Sequence, residues 1–362
     1  MAFAKSETKE VKMDWLRSLW AFARPHTIIG TSLSVFSLGI MAVVFTANVD
    51  LGKIWFGDGN TSGNVNLDIL GVVLWSIVAA LIPSICANVY IVGLNQLTDI
   101  EIDRINKPNL PLAAGKFSRS QGQTIVTVLG LAALLLTLMQ GWFLFCTVGI
   151  SMLIGTAYSL PPLRLKRFPF WAAMCIFGVR GVVVNLGFYL HFEHYFDRSL
   201  EQNFMLDAAS SRDLNLLNLN FSSLWQNLPT IPPEIWALTA FVILFALAIA
   251  LFKDIPDLDG DRQFQIRTLT VRLGTTYVFR LSMLVLSISY GLLIGLAILG
   301  ILPHVETNLV IGTHLGLLAM TWWYGLRVDL QSKEQISQFY QFIWKLFFLE
   351  YLLFPIACIF GN

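Results

Sequence analysis

Charged residues are confined to short clusters, and the apolar stretches between the clusters have the length of a membrane span. Residues 27–48, 69–98, 120–163, 235–252, 281–305 and 307–326 carry no charge, and 168–190 and 335–360 are nearly charge-free. A helix needs about 20 mostly apolar residues to cross a bilayer. The 44 residues of 120–163 suffice for two crossings with a break at Gln140-Gly141. The pattern predicts nine spans, and because strict alternation is missing, it predicts helices and not barrel strands.

The composition excludes an ordinary soluble enzyme. Charged residues make up 13% of the 362 residues and hydrophobic residues 56%, whereas a soluble domain carries about 25% charge. The net charge of +1 gives no sign of a nucleic-acid partner. The four cysteines stand singly in apolar stretches, which argues against a disulfide or a zinc site. The expected fold class is therefore an all-α, polytopic membrane protein.

The basic residues predict the orientation of the chain. Of the 24 Lys and Arg residues, 18 lie in the N-terminal segment and in the loops on the same side, against three on the other side. Positively charged loops face the cytoplasm, so the N-terminus is predicted to be cytoplasmic and the C-terminus opposite. Residues 1–26 are expected to form a cytoplasmic segment with an interfacial amphipathic helix at 14–24, anchored by Trp15 and Trp20. Residues 27–362 are expected to form one transmembrane domain with an outer insert at 191–233.

Two acidic strings of the form DxxxDR stand out in this charge-poor chain. They begin at Asp99 and Asp257, each at the inner end of an even-numbered span, which suggests two related halves offset by four helices. On a helix, the spacing i, i+4, i+8 places Asn95, Asp99 and Asp103 on one face. The second string gives a similar face formed by Asp254, Asp257 and Asp261, although Pro256 disfavours helix at the preceding residue.

Carboxylates stacked on one helix face repel each other, and a hard cation relieves the repulsion. Mg²⁺ prefers oxygen ligands and shares its coordination with substrate phosphates, so two facing acidic stripes would hold a diphosphate between metal ions. The predicted metal ligands are Asn95, Asp99, Asp103, Asp254, Asp257 and Asp261, and the aspartates of the two DxxxD strings, Asp99, Asp103, Asp257 and Asp261, are the predicted catalytic residues.

Basic and hydroxyl side chains near the acidic strings are candidates for binding phosphate oxygens. They are Arg104, Lys107, Tyr158, Arg164, Lys166, Lys253, Arg262 and Arg267. The alternative for the basic members is that they only satisfy the positive-inside rule, and Tyr158 could equally be an interface anchor.

The acidic strings resemble the two motifs of the UbiA superfamily of intramembrane aromatic prenyltransferases. NQLTDIEID (95–103) resembles its NxxxDxxxD motif and KDIPDLDGD (253–261) its second DxxxD motif. Longer strings, including NQLTDIEIDRINKPNLPLAAG, YSLPPLRLKRFPFWAA and VRGVVVNLGFYLH, resemble the branch that prenylates homogentisate, notably in cyanobacteria. The resemblance extends from Arg24 nearly to the C-terminus.

The resemblance implies nine helices around a central cavity and a cyanobacterial thylakoid or plasma membrane. It implies Mg²⁺-dependent transfer of a phytyl group from phytyl diphosphate to homogentisate with loss of carbon dioxide. The product would be 2-methyl-6-phytylbenzoquinol, a tocopherol precursor.

Three polar residues inside spans are candidates for binding the aromatic substrate. Arg180 could hold the homogentisate carboxylate, because an intramembrane arginine is a functional candidate. Its alternative is a buried structural pair with Glu350 or an aspartate. Asn185 follows Arg180 in the same span, and Asn88 lies two turns before Asn95. The alternative for Asn88 is an interhelical hydrogen bond. Lys345 and Glu350 are read as packing residues.

Other functions remain open at this point. Within the enzyme class, the chain could transfer a geranylgeranyl or solanesyl group to homogentisate, or act as another UbiA-type enzyme such as chlorophyll synthase. Of a different class, an ion or lipid transporter would need charges along a path across the bilayer, and the outer halves of the spans carry almost none. A structural scaffold would leave the acidic strings unexplained.

Overall fold

The computed structural model describes residues 14–46, 63–204, 230–256, 258 and 268–361, and the secondary structure within these ranges is helical. Residues 14–22 form α1. The remaining helices are α2 (Pro25–Thr46), α3 (Gly63–Thr98), α4 (Ile100–Asn106), α5 (Arg119–Leu138), α6 (Trp142–Ser159), α7 (Pro169–Phe177), α8 (Val184–Phe204), α9 (Pro233–Lys253), α10 (Leu269–Leu273), α11 (Thr275–Ile298), α12 (Thr307–Gly325) and α13 (Lys333–Phe360). A 3₁₀ turn spans Leu165–Arg167, and a π-helical turn spans Gly178–Val183.

Eight helical segments in the described part are long and apolar enough to cross a membrane. They are Pro25–Thr46, Leu70–Thr98, Arg119–Leu138, Trp142–Ser159, Phe170–Asp197, Pro233–Lys253, Thr275–Ile298 and Lys333–Phe360. The predicted eighth span corresponds to α12, a helix of 19 residues that falls outside this set. The helical membrane fold is thus confirmed, and the count of nine is approximate.

The breaks between spans follow local sequence signals. Ser118 accepts a hydrogen bond from the Gln121 backbone amide at the start of α5, and the Gln121 side chain accepts one from the Ser118 amide in return. Such a capping box satisfies amides that a helix start leaves unpaired. The predicted break at Gln140-Gly141 is present, and Gly141 adopts a φ of 114° that favours glycine.

The described helices pack into a closed arrangement. The most extensive pairings are α3 with α5 and α9 with α11, which are the second with the third span and the sixth with the seventh. This correspondence agrees with two related halves offset by four spans. The last helix, α13, packs against α2 and closes the ring. Among the eight spans, α9 is the most buried. Its fully buried side chains include Phe241, Phe245 and Phe252.

The short helix α1 rests on the end of the bundle that carries the basic loops, here called the basic end. Its Trp15 and Trp20 are about half exposed. Phe22, the last residue of α1, is fully buried and contacts Phe117. The buried Gln96 donates a side-chain hydrogen bond of 2.7 Å to the Phe22 carbonyl. The predicted N-terminal helix is present, and this contact ties it to α3 beside the first acidic motif.

Several predicted features lie outside the described residues. They are the segment before residue 14, residues 205–229 of the proposed outer insert, and the second-motif residues Asp257, Asp261, Arg262 and Arg267.

Candidate functional site

The first acidic motif lies where the second span ends at the basic end of the bundle. The helix breaks at Asp99, which has a φ of −119° and a ψ of 16° between α3 and α4. The prediction that Asn95, Asp99 and Asp103 share one face of a continuous helix is therefore wrong in this detail. The chain turns at Asp99 and resumes as α4, and the Asp103 backbone amide donates to the Asp99 carbonyl at 2.7 Å.

Oxygen atoms from the end of α3 converge on the ammonium group of Lys166. The Lys166 Nζ donates to Asp99 Oδ2 at 2.6 Å, to Asn95 Oδ1 at 2.9 Å and to Thr98 Oγ1 at 2.9 Å. Arg164 Nη2 donates to the other carboxylate oxygen of Asp99 at 3.1 Å. The side chains of all three charged residues are at most 20% exposed. Asn95 and Asp99 thus form a cluster of oxygen atoms that holds a cation.

The loop after α6 delivers these two basic side chains. Arg164 adopts a left-handed φ of 36°, and the 3₁₀ turn that contains Lys166 follows at once. Residues with a side chain seldom adopt this conformation, so contacts elsewhere must offset its cost. The ion pair of Arg164 with Asp99 and its hydrogen bond of 3.4 Å to the Thr98 carbonyl are two such contacts. Among the described residues, the buried Arg164 Nε has no hydrogen-bond partner.

Burial shifts the pKa values of one basic and one acidic residue at this site, Lys166 and Asp103. Burial lowers the pKa of Lys166, and the bond to Asp99 opposes that effect. Burial raises the pKa of Asp103, and the negative charge of Asp99 adds to this, whereas Lys107 and Arg24 act in the opposite direction. Positive charge from several elements therefore surrounds the carboxylate of Asp103, which is only 8% exposed.

The other predicted phosphate-binding residues before the second motif, Arg104, Lys107 and Tyr158, differ in their exposure and in their contacts. Arg104 is exposed and pairs with the exposed Glu101 at 2.8 Å. Its role as a phosphate ligand stays a prediction. Lys107 caps α4 at its C-terminal end and lies within electrostatic reach of Asp103. Tyr158 is half-buried in the last turn of α6.

The second motif begins at the basic end of α9. This helix ends at the exposed Lys253, Asp254 is its half-buried C-terminal cap, and a turn runs to Pro256. The expected interruption at the proline is therefore present. Within the described ranges, no three carboxylate, histidine or cysteine side chains lie close enough to hold a metal ion. Asp257 and Asp261, which would complete the predicted ligand set, are outside those ranges.

Arg180 lies inside the bundle, in the π-helical turn. Its guanidinium carbon is 5.2 Å from the centre of the Trp344 ring and 5.6 Å from that of Phe347. A π-helical turn widens a helix locally and often marks a functional site. Among the described residues Arg180 forms no ion pair with a carboxylate. The alternative of a pair with Glu350 is wrong, because Glu350 pairs with His314 at 3.2 Å.

The two predicted asparagines differ in what they contact. The fully buried Asn185 accepts a hydrogen bond of 2.9 Å from the Tyr351 hydroxyl, and its Nδ2 has no partner in the part of the chain that the structure describes. The Asn88 amide instead donates to Thr27 Oγ1 at 3.0 Å, between α3 and α2. The structure therefore favours the interhelical hydrogen bond over a substrate contact for Asn88.

Sequence reasoning missed several residues that complete these two regions. Thr98 could have been found, because it lies three residues after Asn95 and so shares its helix face. His26, Trp344 and Tyr351 could not, because they come together only when α13 closes against α2.

Comparison with known proteins agrees with this architecture. Residues 60–346 match the UbiA prenyltransferase family. The chain is 44% identical to a homogentisate phytyltransferase of Synechocystis sp., over 95% of this chain and 96% of that protein. It is 36% identical to a homogentisate geranylgeranyltransferase of Hordeum vulgare, over 94% and 72% of the two chains. It is 37% identical to a homogentisate solanesyltransferase of Arabidopsis thaliana, over 93% and 75%.

The fold is also similar to solved structures. A UbiA homolog from Archaeoglobus fulgidus bound to GPP and Mg²⁺ superimposes with a TM-score of 0.54 at 15% identity, over 94% of this chain and 99% of that one. At this identity the similarity concerns the fold alone.

Proposed function

Because this chain belongs to the UbiA prenyltransferase family, we propose that it transfers a phytyl group from phytyl diphosphate to homogentisate with loss of carbon dioxide. The protein is an integral membrane enzyme of the prenyltransferase class. The 44% identity with a homogentisate phytyltransferase over nearly both whole chains supports the choice of substrates. The predicted product is 2-methyl-6-phytylbenzoquinol, in the tocopherol pathway.

The observation that carries the proposal is the cluster of oxygen atoms around Lys166. Asn95, Thr98 and Asp99 present amide, hydroxyl and carboxylate oxygens to a single cation at 2.6–2.9 Å. Oxygen donors of these types fit a hard divalent cation such as Mg²⁺. When bound, the metal ion would act as a Lewis acid that neutralises charge on the departing diphosphate. Asp103 and, from the second motif, Asp254, Asp257 and Asp261 are the further ligands that we propose.

The basic residues of this end have a role of their own. Arg164 and Lys166 stabilise the negative charge that develops as the allylic carbon–oxygen bond breaks, because preorganised cations act strongly where water is excluded. Lys107 and Tyr158 lie at the same end of the bundle and extend this diphosphate-binding set. Lys253, Arg262 and Arg267 of the second motif complete it. The apolar interior protects the allylic cation from water.

We assign the homogentisate carboxylate to Arg180. Its guanidinium lacks a carboxylate partner in the described part and lies against two aromatic rings, so an anionic ligand would satisfy it. The unpartnered Nδ2 of Asn185 supports a polar ligand in the same region. The electron-rich ring of homogentisate would then lie between Arg180 and the diphosphate end, where it can attack the allylic cation.

A membrane assay tests the proposal. Membranes containing the enzyme are supplied with labelled homogentisate and with phytyl, geranylgeranyl or solanesyl diphosphate, with Mg²⁺ or with EDTA. We expect product with Mg²⁺ only, and most product from phytyl diphosphate. A preference for one of the longer or less saturated chains would shift the substrate assignment within the family. No prenylated product from any diphosphate would overturn the proposal.

Matched carboxylate variants test the metal ligands. Asp99→Asn removes the carboxylate that Lys166 and Arg164 contact, and we expect activity to fall by at least about a hundredfold. Glu101→Gln removes a carboxylate two residues away that is 79% exposed, and we expect nearly full activity. Equal activity in the two variants would refute the role of Asp99.

A further inference from the structure

His26 lies in the first turn of α2, and the backbone before it has a defined conformation. Arg24 adopts a left-handed φ of 54°, and Pro25 begins the helix. Thr27 donates to the Arg24 carbonyl at 2.8 Å and accepts from Asn88 of α3 at 3.0 Å. These contacts position the backbone of this turn at the basic end of the bundle, and the His26 side chain is exposed.

His26 and Arg180 contact the same aromatic side chain, Trp344. Its ring meets Trp344 edge-on at 5.6 Å, and the guanidinium of Arg180 lies over the same indole at 5.2 Å. The charged groups within its electrostatic reach are Arg24, Arg180 and Lys107. Lys107 in turn interacts with Asp103 of the first acidic motif. The imidazole and the guanidinium therefore lie against the same indole, next to the position proposed for homogentisate.

The proposed reaction needs a proton acceptor near the ring of homogentisate. When the ring carbon of homogentisate attacks the allylic cation, a new carbon–carbon bond forms, and that ring carbon still carries its hydrogen. A base must remove this proton before the ring becomes aromatic again. Asp99 and the basic residues of the diphosphate end are engaged with one another, and Arg180 cannot accept a proton. Histidine is the residue most often used for such transfers.

Resting on the proposed function, we propose that His26 is the base that accepts the ring proton after prenyl transfer. Loss of carbon dioxide then breaks the bond between the methylene and carboxylate carbons. The electron pair left on the methylene carbon takes up one proton and forms the methyl group. The proton held by His26 supplies it, so the ring proton and the methyl proton balance and no other reactant is needed.

Variants and isotope effects test this role. We expect His26→Gln to lower kcat by about 10²–10⁴-fold, with the KM values for both substrates within about threefold of wild type. Homogentisate deuterated on the ring should react more slowly than the protium form in this variant, because proton removal becomes rate-limiting. His26→Ala should regain activity when imidazole is added. The control is His304→Gln, because His304 lies at the opposite end of the bundle beside Glu234, and it should behave as wild type.

The kcat of His26→Gln, the ring isotope effect and the imidazole rescue together decide whether His26 accepts the ring proton. A His26→Gln variant with nearly wild-type kcat overturns the role. So does a loss of kcat without a ring isotope effect and without rescue by imidazole, since that would mark a residue that only supports the fold. If His26→Gln unfolds in detergent, His26→Asn is measured in the same way. Absence of product from the wild-type enzyme would instead overturn the proposed function itself.

Discussion

Replacing His314 with phenylalanine tests whether the buried pair between α12 and α13 stabilises the bundle. Both side chains of the pair, His314 and Glu350, are 1% exposed. His314 Nδ1 donates to the Val310 carbonyl at 2.7 Å, and Nε2 lies 3.2 Å from Glu350 Oε1. The His314 ring also contacts those of Tyr290 and Phe241. Phenylalanine keeps a ring in this position and removes the polar contacts of both ring nitrogens.

The loss of stability in His314→Phe follows from the Glu350 carboxylate, which stays buried without its partner. The other carboxylate oxygen of Glu350 has no hydrogen-bond partner among the described residues, so Glu350 has no second contact to fall back on. Removing one member of a buried ion pair typically costs about 3–5 kcal/mol of unfolding free energy. We expect the melting temperature of His314→Phe to fall by at least about 5 °C. Glu350→Gln keeps a hydrogen-bonding group and should cost only about 1 kcal/mol.

Thermal unfolding in detergent micelles, followed by tryptophan fluorescence, measures these changes. The double variant His314→Phe with Glu350→Leu leaves no charge buried and should recover most of the lost stability. A melting temperature of His314→Phe within 1 °C of wild type would refute the reasoning. So would a double variant that is no more stable than the single one. The specific activity of the folded His314→Phe variant at low temperature should stay close to wild type, because in the described part neither side chain of the pair contacts a residue of the proposed site directly.

Lys166→Met should lower kcat about 10²–10³-fold, because one cation that stabilises the leaving diphosphate is lost; an unchanged kcat in the prenyl transfer assay would contradict this role. Gly30→Ala would place a Cβ 3.1 Å from the intramembrane guanidinium and should raise the KM for homogentisate about fivefold or more, whereas Gly149→Ala, with open space around it, should not. Phe117→Ala removes a ring that α1 packs against and should speed trypsin cleavage within α1; an unchanged cleavage rate would show that other contacts hold α1.

The spans and the first acidic motif could be predicted because both depend on residues close together in sequence. Long charge-free stretches identify helices that cross a membrane, and the four-residue spacing of Asn95 and Asp99 correctly places them side by side. The break of the helix at Asp99 could not be foreseen, because no proline or glycine marks it. It coincides with tertiary contacts from Arg164 and Lys166 that lie 65 and 67 residues further along the chain.

Pairings between distant helices could not be chosen from the sequence. Glu350 was considered a possible partner of Arg180, yet it pairs with His314, 36 residues earlier. Both partners were plausible, because each would satisfy a charge within the bilayer. Only the packing of α12 against α13 decides between them, and hydrophobic patterns do not encode that choice. For the same reason the indole shared by His26 and Arg180 was not foreseen.

The π-helical turn at Gly178–Val183 has a consequence for how sequences of this kind are aligned and edited. Such a turn accommodates one residue more than the corresponding α-helical turn. Because an α-helix advances about 100° per residue, deleting a single residue here would rotate the preceding α7 relative to α8. The guanidinium of Arg180 would then leave the indole face that it now covers. An alignment gap of one residue within this span therefore separates two different placements of the Arg180 side chain, even where the hydrophobicity profile is unchanged.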